Sequence, residues 1–250
     1  MSRQPPEQQA PPVQRLRIRY AKRGRLRFTS HRDFSRAFER AIFRARIPMA
    51  YSSGFNPHPR ISYAGAAPTG SASEAEYLEI GLAQMVDTAD IHAALDESLP
   101  EGLDVLEVVD AAELGKGGLA DLLIASRWLI DTRAPADELS AAVVRFLAEP
   151  SVAVERMTKK GLREFDCRAA VVSLSIADTE ASPVAGAGVD GPAQLDLVLR
   201  HGVPSVRPDD VLTGLCALTG LELSGPALLT RLSQGPLDEE TGTVGDPLAR

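Results

Sequence analysis

The chain has 250 residues, 44% of them hydrophobic, which is enough to fill one large core or two ordinary ones. Its two cysteines, Cys167 and Cys216, exclude a disulfide framework, a Cys-rich zinc site and an iron–sulfur cluster held by this chain alone. The net charge of −7 hides an asymmetry: residues 13–60 hold 13 Lys/Arg against two acidic residues (+11), whereas residues 61–250 hold 13 against 31 (−18). A basic head of this kind points to an anionic partner, unless head and body neutralise each other within one fold.

Residues 1–13 are Pro/Gln-rich and are expected to lie outside the fold as a disordered tail. They lack the apolar stretch of a secretory signal, and no apolar run in the chain approaches the ~20 residues of a membrane span, so the expected localisation is cytoplasmic. From Gln14 to Phe28 apolar and basic residues alternate, Leu16, Ile18 and Tyr20 against Arg15, Arg17 and Arg19, which predicts a strand bending at Gly24. A helix follows, with Ser30 as N-cap, Asp33 in the first turn, and Phe34, Phe38, Ala41, Ile42 and Ala45 in one apolar stripe that stops before Pro48. After a loop from Pro48 to Pro59, strands are predicted at Ile61–Ala67 and Glu76–Leu82, a helix opened by Asp87 and ended at Pro100, and a strand at Leu103–Val109. The order is βαββαβ.

Residues 112–121, with Gly115, Gly117 and Gly118, read as a linker; Gly115-Lys116-Gly117-Gly118 lacks the spacing of a phosphate-binding loop. Beyond it, Trp128–Thr132 is a predicted strand, Pro135 begins a helix, and Val152–Met157 and Leu162–Ile176 are strands joined by a turn at Lys159-Lys160-Gly161. Asp166 and Arg168 fall on one side of that second strand and are expected to pair. Leu195–Arg200 is a strand, Ser205–Asp209 leads into a helix closed by Gly220, and a last strand lies near Ala227–Leu232. Residues 234–250 are Gly-rich, acidic and expected to be disordered. The fold expected is therefore α+β, with two tandem ferredoxin-like (split βαβ) units at 14–111 and 122–233, each an antiparallel sheet with its helices on one face.

Arg32, Arg36, Arg40 and Arg44 stand four apart and form a row along the first helix. Guanidinium groups keep their charge and fit phosphate oxygens in pairs, so this row, with Arg25 and Arg27 beside it, suits a nucleic-acid backbone; a solvated helix face is the plainer reading. In the loop, prolines on both sides restrict His58, Gly54 permits a tight turn, and Tyr51 and Phe55 offer stacking surfaces. Asn56 can read hydrogen-bonding edges and Arg60 can clamp a phosphate, although a rigid turn with Phe55 buried would use the same residues. His31 sits at a helix N-terminus, where anions are attracted, and could face His58 to form an acid–base pair; capping and packing are the simpler roles.

Several strings together carry a resemblance. Lys22-Arg23-Gly24, Arg27-Phe28-Thr29-Ser30-His31-Arg32-Asp33, Arg40-Ala41, Arg44-Ala45, Ile47-Pro48, Ala50-Tyr51-Ser52, Gly54-Phe55-Asn56-Pro57-His58-Pro59-Arg60-Ile61-Ser62 and Glu76-Tyr77 resemble the radical SAM-linked family of bacterial proteins, a domain of unknown function. Lys159-Lys160-Gly161, Asp166-Cys167-Arg168 and Arg207-Pro208-Asp209 echo its second half, so the resemblance spans about residues 14–233. That family usually has Leu where Arg32 stands. Its members occur alone or as extensions of radical SAM proteins, often encoded near ribonuclease E/G. The resemblance implies a partner enzyme holding a 4Fe-4S cluster and S-adenosylmethionine, with no cofactor or metal in this chain. The expected function is a non-catalytic accessory protein that binds RNA, tRNA or rRNA, through Arg25, Arg27, Arg36, Arg40, Arg44, Arg60, Tyr51, Phe55 and Asn56. The alternatives are a metal-independent RNA-processing enzyme using His31 and His58, and a protein–protein adaptor.

Overall fold

The computed structural model describes residues 8–115, 117–158, 161–177 and 193–250. It is a mixed α+β protein whose strand pairings are antiparallel within two units, Met1–Leu122 with Pro247–Arg250, and Leu123–Asp246.

In the first unit the order is β1 (Gln14–Lys22), a 3-10 turn (Gly24–Phe28), α1 (His31–Arg44), β2 (Ile61–Ala64), β3 (Ala72–Leu82), α2 (Thr88–Ser98), β4 (Val105–Asp110), a second 3-10 turn (Ala111–Glu113) and the short α3 (Leu119–Leu122). β1 lies between β4 and β3, and β2 pairs with β3, giving the order β4-β1-β3-β2 within this unit. The period-two pattern of β1 decides the faces. Leu16 and Ile18 stand opposite Ile80 and Leu78, and together with Tyr20 and Leu82 they form one buried core with Phe34, Phe38, Ala41 and Ile42 of α1 and Ile91 and Leu95 of α2. Tyr20 stacks on Phe34 at 4.4 Å between ring centroids, and Phe34 continues to Phe38 at 5.7 Å; each such contact adds about 0.5–1.5 kcal/mol beyond area burial. The other face carries Arg15, Arg17 and Arg19, with Glu79 opposite Arg17.

The second unit repeats this order with an insertion. Its elements are β5 (Ala125–Asp131), α4 (Ala136–Ala148), β6 (Ala153–Thr158), β7 (Gly161–Asp166), a 3-10 turn (Arg168–Ala170), β8 (Val171–Ile176), β9 (Gln194–Arg200), α5 (Pro208–Thr219) and β10 (Leu228–Gly235). Within it the sheet runs β10-β5-β9-β8, and β6 and β7 form a separate two-stranded ribbon. α5 starts with Pro208 in its first turn and stops at Gly220, which takes the left-handed conformation (φ 76°) that favours glycine.

Four expectations are corrected. The first strand ends at Lys22 rather than continuing to Phe28, because Gly24 adopts a φ of 53° and the N–H groups of Leu26 and Thr29 close 3-10 bonds onto Arg23 and Leu26. Leu162–Ile176 is two strands, divided at Cys167 where the Asp166 carboxylate caps the turn. The stretch 112–121 is not a bare linker: it contains the end of a 3-10 turn capped by Asp110 and the start of α3, with Leu119 buried; Lys116 lies outside the described residues. Residues 234–250 belong to the fold. Gln234 and Gly235 pair with Ser126 and Ala125, Asp238 accepts the N–H groups of Glu240 and Thr241 in a side-chain-closed turn, Leu237 bridges Val244, and Leu248 is 2% exposed. At the other end, Val13 bonds the carbonyl of Leu82 and Gln9 bonds Ser53; residues 1–7 of the expected tail lie outside the described residues, as do Lys159 and Lys160 of the expected turn.

Candidate nucleic-acid interface

α1 begins as its sequence dictates. Ser30 Oγ accepts the Asp33 N–H and donates to the Asp33 carboxylate, so the first turn is capped and a negative charge sits at its positive end. Burying Phe34, Phe38, Ala41 and Ile42 turns the opposite side outward, and that side carries Arg32, Arg36, Glu39, Arg40, Phe43 and Arg44. Phe43, in the last turn, is 84% exposed beside Arg36, Glu39, Arg40 and Arg44. Arg44 also reaches across to donate to the carbonyl of Ser98 at the end of α2. A large aromatic ring held in water among guanidinium groups is a surface built for contact, since both side-chain types concentrate binding energy.

The remaining basic residues of the head do not join one patch. Arg15 and Arg17 both pair with Glu79, at 3.1 and 3.3 Å, and Arg19 donates to the Glu74 carbonyl. Arg23 bonds the Glu74 and Asp104 carboxylates, and the Glu74 bond chiefly holds its pKa above the ordinary arginine value. Lys22 is buried beside the carbonyls of Ala67 and Pro68. Arg25 is exposed on the 3-10 turn, and the Arg27 guanidinium lies 4.8 Å from the ring centroid of the exposed Phe28. Arg15, Arg17 and Arg23 therefore neutralise carboxylates of their own unit, Arg19 and Lys22 are turned onto backbone carbonyls, and the α1 arginines face outward.

The 48–60 segment is a pinned hairpin rather than an open loop. Tyr51 bridges Pro59, the Ser52 N–H donates to the His58 carbonyl, the His58 N–H donates to Ser52 Oγ, and Arg60 N–H donates to Ala50. Ala50 and Arg60 are both bonded to Gly81 of β3, which fixes the stem to the sheet. The tip projects, with Phe55 62% exposed and Ser53, Asn56, Pro57 and His58 exposed around it, and on the stem Tyr51 is 44% exposed. The reading in which Phe55 is buried is thereby overturned.

The two histidines keep different company. His31 meets Tyr63 edge to face at 4.9 Å, on the side of β2 that packs against Phe34. His58 instead lines a cavity of about 300 Å³ with Arg15, Ser52, Arg60, Ser62 and Glu79, on the charged face of the sheet. An acid–base pair of His31 with His58, which their sequence positions allowed, is not what this arrangement assembles.

Residues 15–208 match the model of a family described as "Uncharacterized protein conserved in bacteria (DUF2344)". The chain belongs to DUF2344. The matched stretch runs from β1 to the first residue of α5, so it contains α1, the hairpin and the lining of the cavity except Pro12. No curated protein matches the chain. Among solved structures it is similar to a chain of "Crystal Structure of a Cbf5-Nop10-Gar1 Complex", at 10% identity and a TM-score of 0.42, over 92% of this chain and 54% of that one. The DUF2344 chain thus spans about half the length of that neighbour.

In the second unit of this DUF2344 protein the polar groups that stood out in sequence hold structure together. Asp166 accepts the backbone N–H groups of Val152, Arg168 and Ala169; burial opposes its charge, but these bonds outweigh burial and lower its pKa. The Arg168 guanidinium donates to the Val171 carbonyl, so the expected Asp166–Arg168 side-chain pair is replaced by turn capping. Arg156 pairs with the buried Asp210, which also caps α5 through the Arg207 N–H. Among the described residues no group of three or more His, Cys, Asp or Glu could hold a metal, and no helix is long and apolar enough to cross a membrane.

Sequence reasoning missed Phe43, Glu79 and Gly81. Phe43 was legible as the one phenylalanine of α1 that falls off the apolar stripe. Glu79 and Gly81 gave no local signal, because their roles depend on which strands become neighbours.

Proposed function

We propose that this DUF2344 chain is a non-catalytic accessory protein that binds RNA, tRNA or rRNA, through its N-terminal unit and presents it in the cytoplasm to a radical SAM enzyme. The partner, not this chain, would hold the 4Fe-4S cluster and S-adenosylmethionine. The observation carrying the RNA reading is the outward face of α1, where Arg36, Arg40 and Arg44, with Glu39, surround the exposed Phe43 and Arg32 continues the row toward the helix N-terminus. Guanidinium groups suit phosphate oxygens, and a ring among them offers a base a stacking surface. The partner rests on the resemblance alone. Both units are read as ferredoxin-like, supported by the orders β4-β1-β3-β2 and β10-β5-β9-β8.

A salt series on RNA binding tests this reading. Wild type is expected to give a steep log–log slope, and the triple variant Arg36→Ala/Arg40→Ala/Arg44→Ala to flatten it by about 2, as loss of roughly 0.7 counterions per single-strand phosphate contact requires. Binding that is absent or insensitive to salt overturns it. The exposed Phe43 favours one competing reading, an adaptor whose α1 docks on a protein. Pull-down of the radical SAM partner that fails with Phe43→Ala, in a protein that binds no RNA, selects the adaptor.

A further inference from the structure

We propose that the cavity between the 48–60 hairpin and β3 is a binding site for a phosphate monoester on a small polar body, of the size of a pentose phosphate. This inference stands apart from the RNA reading, which rests on α1.

The charges come first. Glu79 is the cavity's carboxylate, and it is already matched by Arg15 and by Arg17 behind it. With Arg60 added, these four groups sum to +2. Half of that excess remains with Arg15 and Arg17 on β1, which share the one Glu79 carboxylate, and half is Arg60 on the hairpin, where His58 also lines the space.

The donors are fixed before any ligand arrives. Arg60 Nε donates to the carbonyl of Tyr51 at 3.1 Å, which restrains the guanidinium while its terminal nitrogens remain to donate. His58 is held between Pro57 and Pro59, its N–H on Ser52 Oγ at 3.0 Å. Donors ordered in advance bind at lower entropic cost. Ser52 and Ser62 add hydroxyl groups. Guanidinium, imidazole and hydroxyl donors on the hairpin, with the Ser62 hydroxyl on β2 and Arg15 on β1, suit the several oxygens of a tetrahedral dianion better than the planar pair of a carboxylate.

Size limits the rest of the ligand. About 300 Å³ is the lower end for ligand pockets, which limits the body carried by the phosphate to about the size of a pentose. The space itself depends on Gly81. A Cβ there would stand 3.0 Å from Pro12 and 3.3 Å from Arg60 Cβ, so the glycine allows both walls to approach the strand.

Isothermal titration of the full chain with ribose 5-phosphate tests the proposal, with ribose and inorganic phosphate as separate probes. Saturable 1:1 binding of ribose 5-phosphate, competition by phosphate and no binding of ribose are expected. Arg60→Met and His58→Gln should each weaken binding at least tenfold, and Ser62→Leu should block it by filling the space without changing charge. If Arg60→Met fails to fold, judged by its melting curve, Ser62→Leu at the strand surface serves in its place. Arg36→Ala/Arg40→Ala/Arg44→Ala should bind ribose 5-phosphate as wild type does, whatever it does to RNA. Absence of saturable binding, equal binding of ribose, or wild-type affinity in both Arg60→Met and Ser62→Leu overturns the proposal. A competing RNA oligonucleotide separates the sources. Displacement by a 5′-phosphorylated but not a 5′-hydroxyl oligomer assigns the site to an RNA end; displacement by neither assigns it to a free small phosphate ester; equal displacement by both overturns monoester recognition.

Discussion

At Gly81 three segments meet: its N–H donates to Arg60, its carbonyl accepts Ala50, and Pro12 lies where a side chain would be. Gly81→Ala is expected to destabilise the protein by about 1–3 kcal/mol through overpacking, measured as a lowered urea midpoint. In the second unit His201 is held between the Leu123 carbonyl at Nδ1 and Ser126 Oγ at Nε2, and burial pushes its pKa below the ordinary histidine value. The sign follows from linkage. Between the folded pKa and the unfolded value near 6.5, the unfolded chain binds more protons, so stability is complete above about pH 6.5 and declines as pH falls below it. Urea midpoints across pH 5–8 should show this slope, and His201→Gln should flatten it. Residues of this kind are hard to read in sequence: nothing local to Gly81 or His201 announces the neighbours that give them meaning, whereas Phe43 was visible as an apolar residue on the wrong side of its helix.

At the scale of elements, capping and periodicity made most of the fold legible. Ser30 and Asp87 both cap the helices expected of them, and the apolar stripe of α1 supplies its buried face. Ser30→Ala should cost about 1 kcal/mol of stability, with the α1 amides gaining hydrogen exchange. The arginine row makes a separate prediction. Arg36→Ala/Arg40→Ala removes like charges four apart, each pair worth about 0.2–0.5 kcal/mol against the helix, so its melting temperature should equal or exceed that of wild type. A loss of RNA binding in that variant then reports a lost contact and not a lost fold. The elements that sequence misjudged share a cause: Gly24 and the Cys167 turn change the backbone's direction inside runs where apolar residues recur on both sides of the break, so pattern alone saw single strands.

Over the whole molecule, the two units carry one strand order on unlike sequences, β6 and β7 being inserted in the second. Order was legible because each helix and strand announces itself; the site was legible only in part, because charge counting cannot tell an arginine spent on Glu79 from one left on the surface of α1. Composition also misjudged the end of the chain, where Asp238 closes a turn and Leu248 is buried. Leu248→Ala should lower stability by about 2–5 kcal/mol, measured by urea denaturation, as loss of a core side chain does.

Cys167 is fully buried, its sulfur so close to α5 that a Cβ on Gly214 would lie 2.7 Å away, and burial with the nearby charges of Asp166 and Asp210 pushes its thiol to about 11. Alkylation at neutral pH therefore discriminates between the two sulfurs: the partly exposed Cys216 reacts from the native state, and Cys167 only when its surroundings open. The protein carries an internal clock for local unfolding, readable by mass spectrometry with no engineered label.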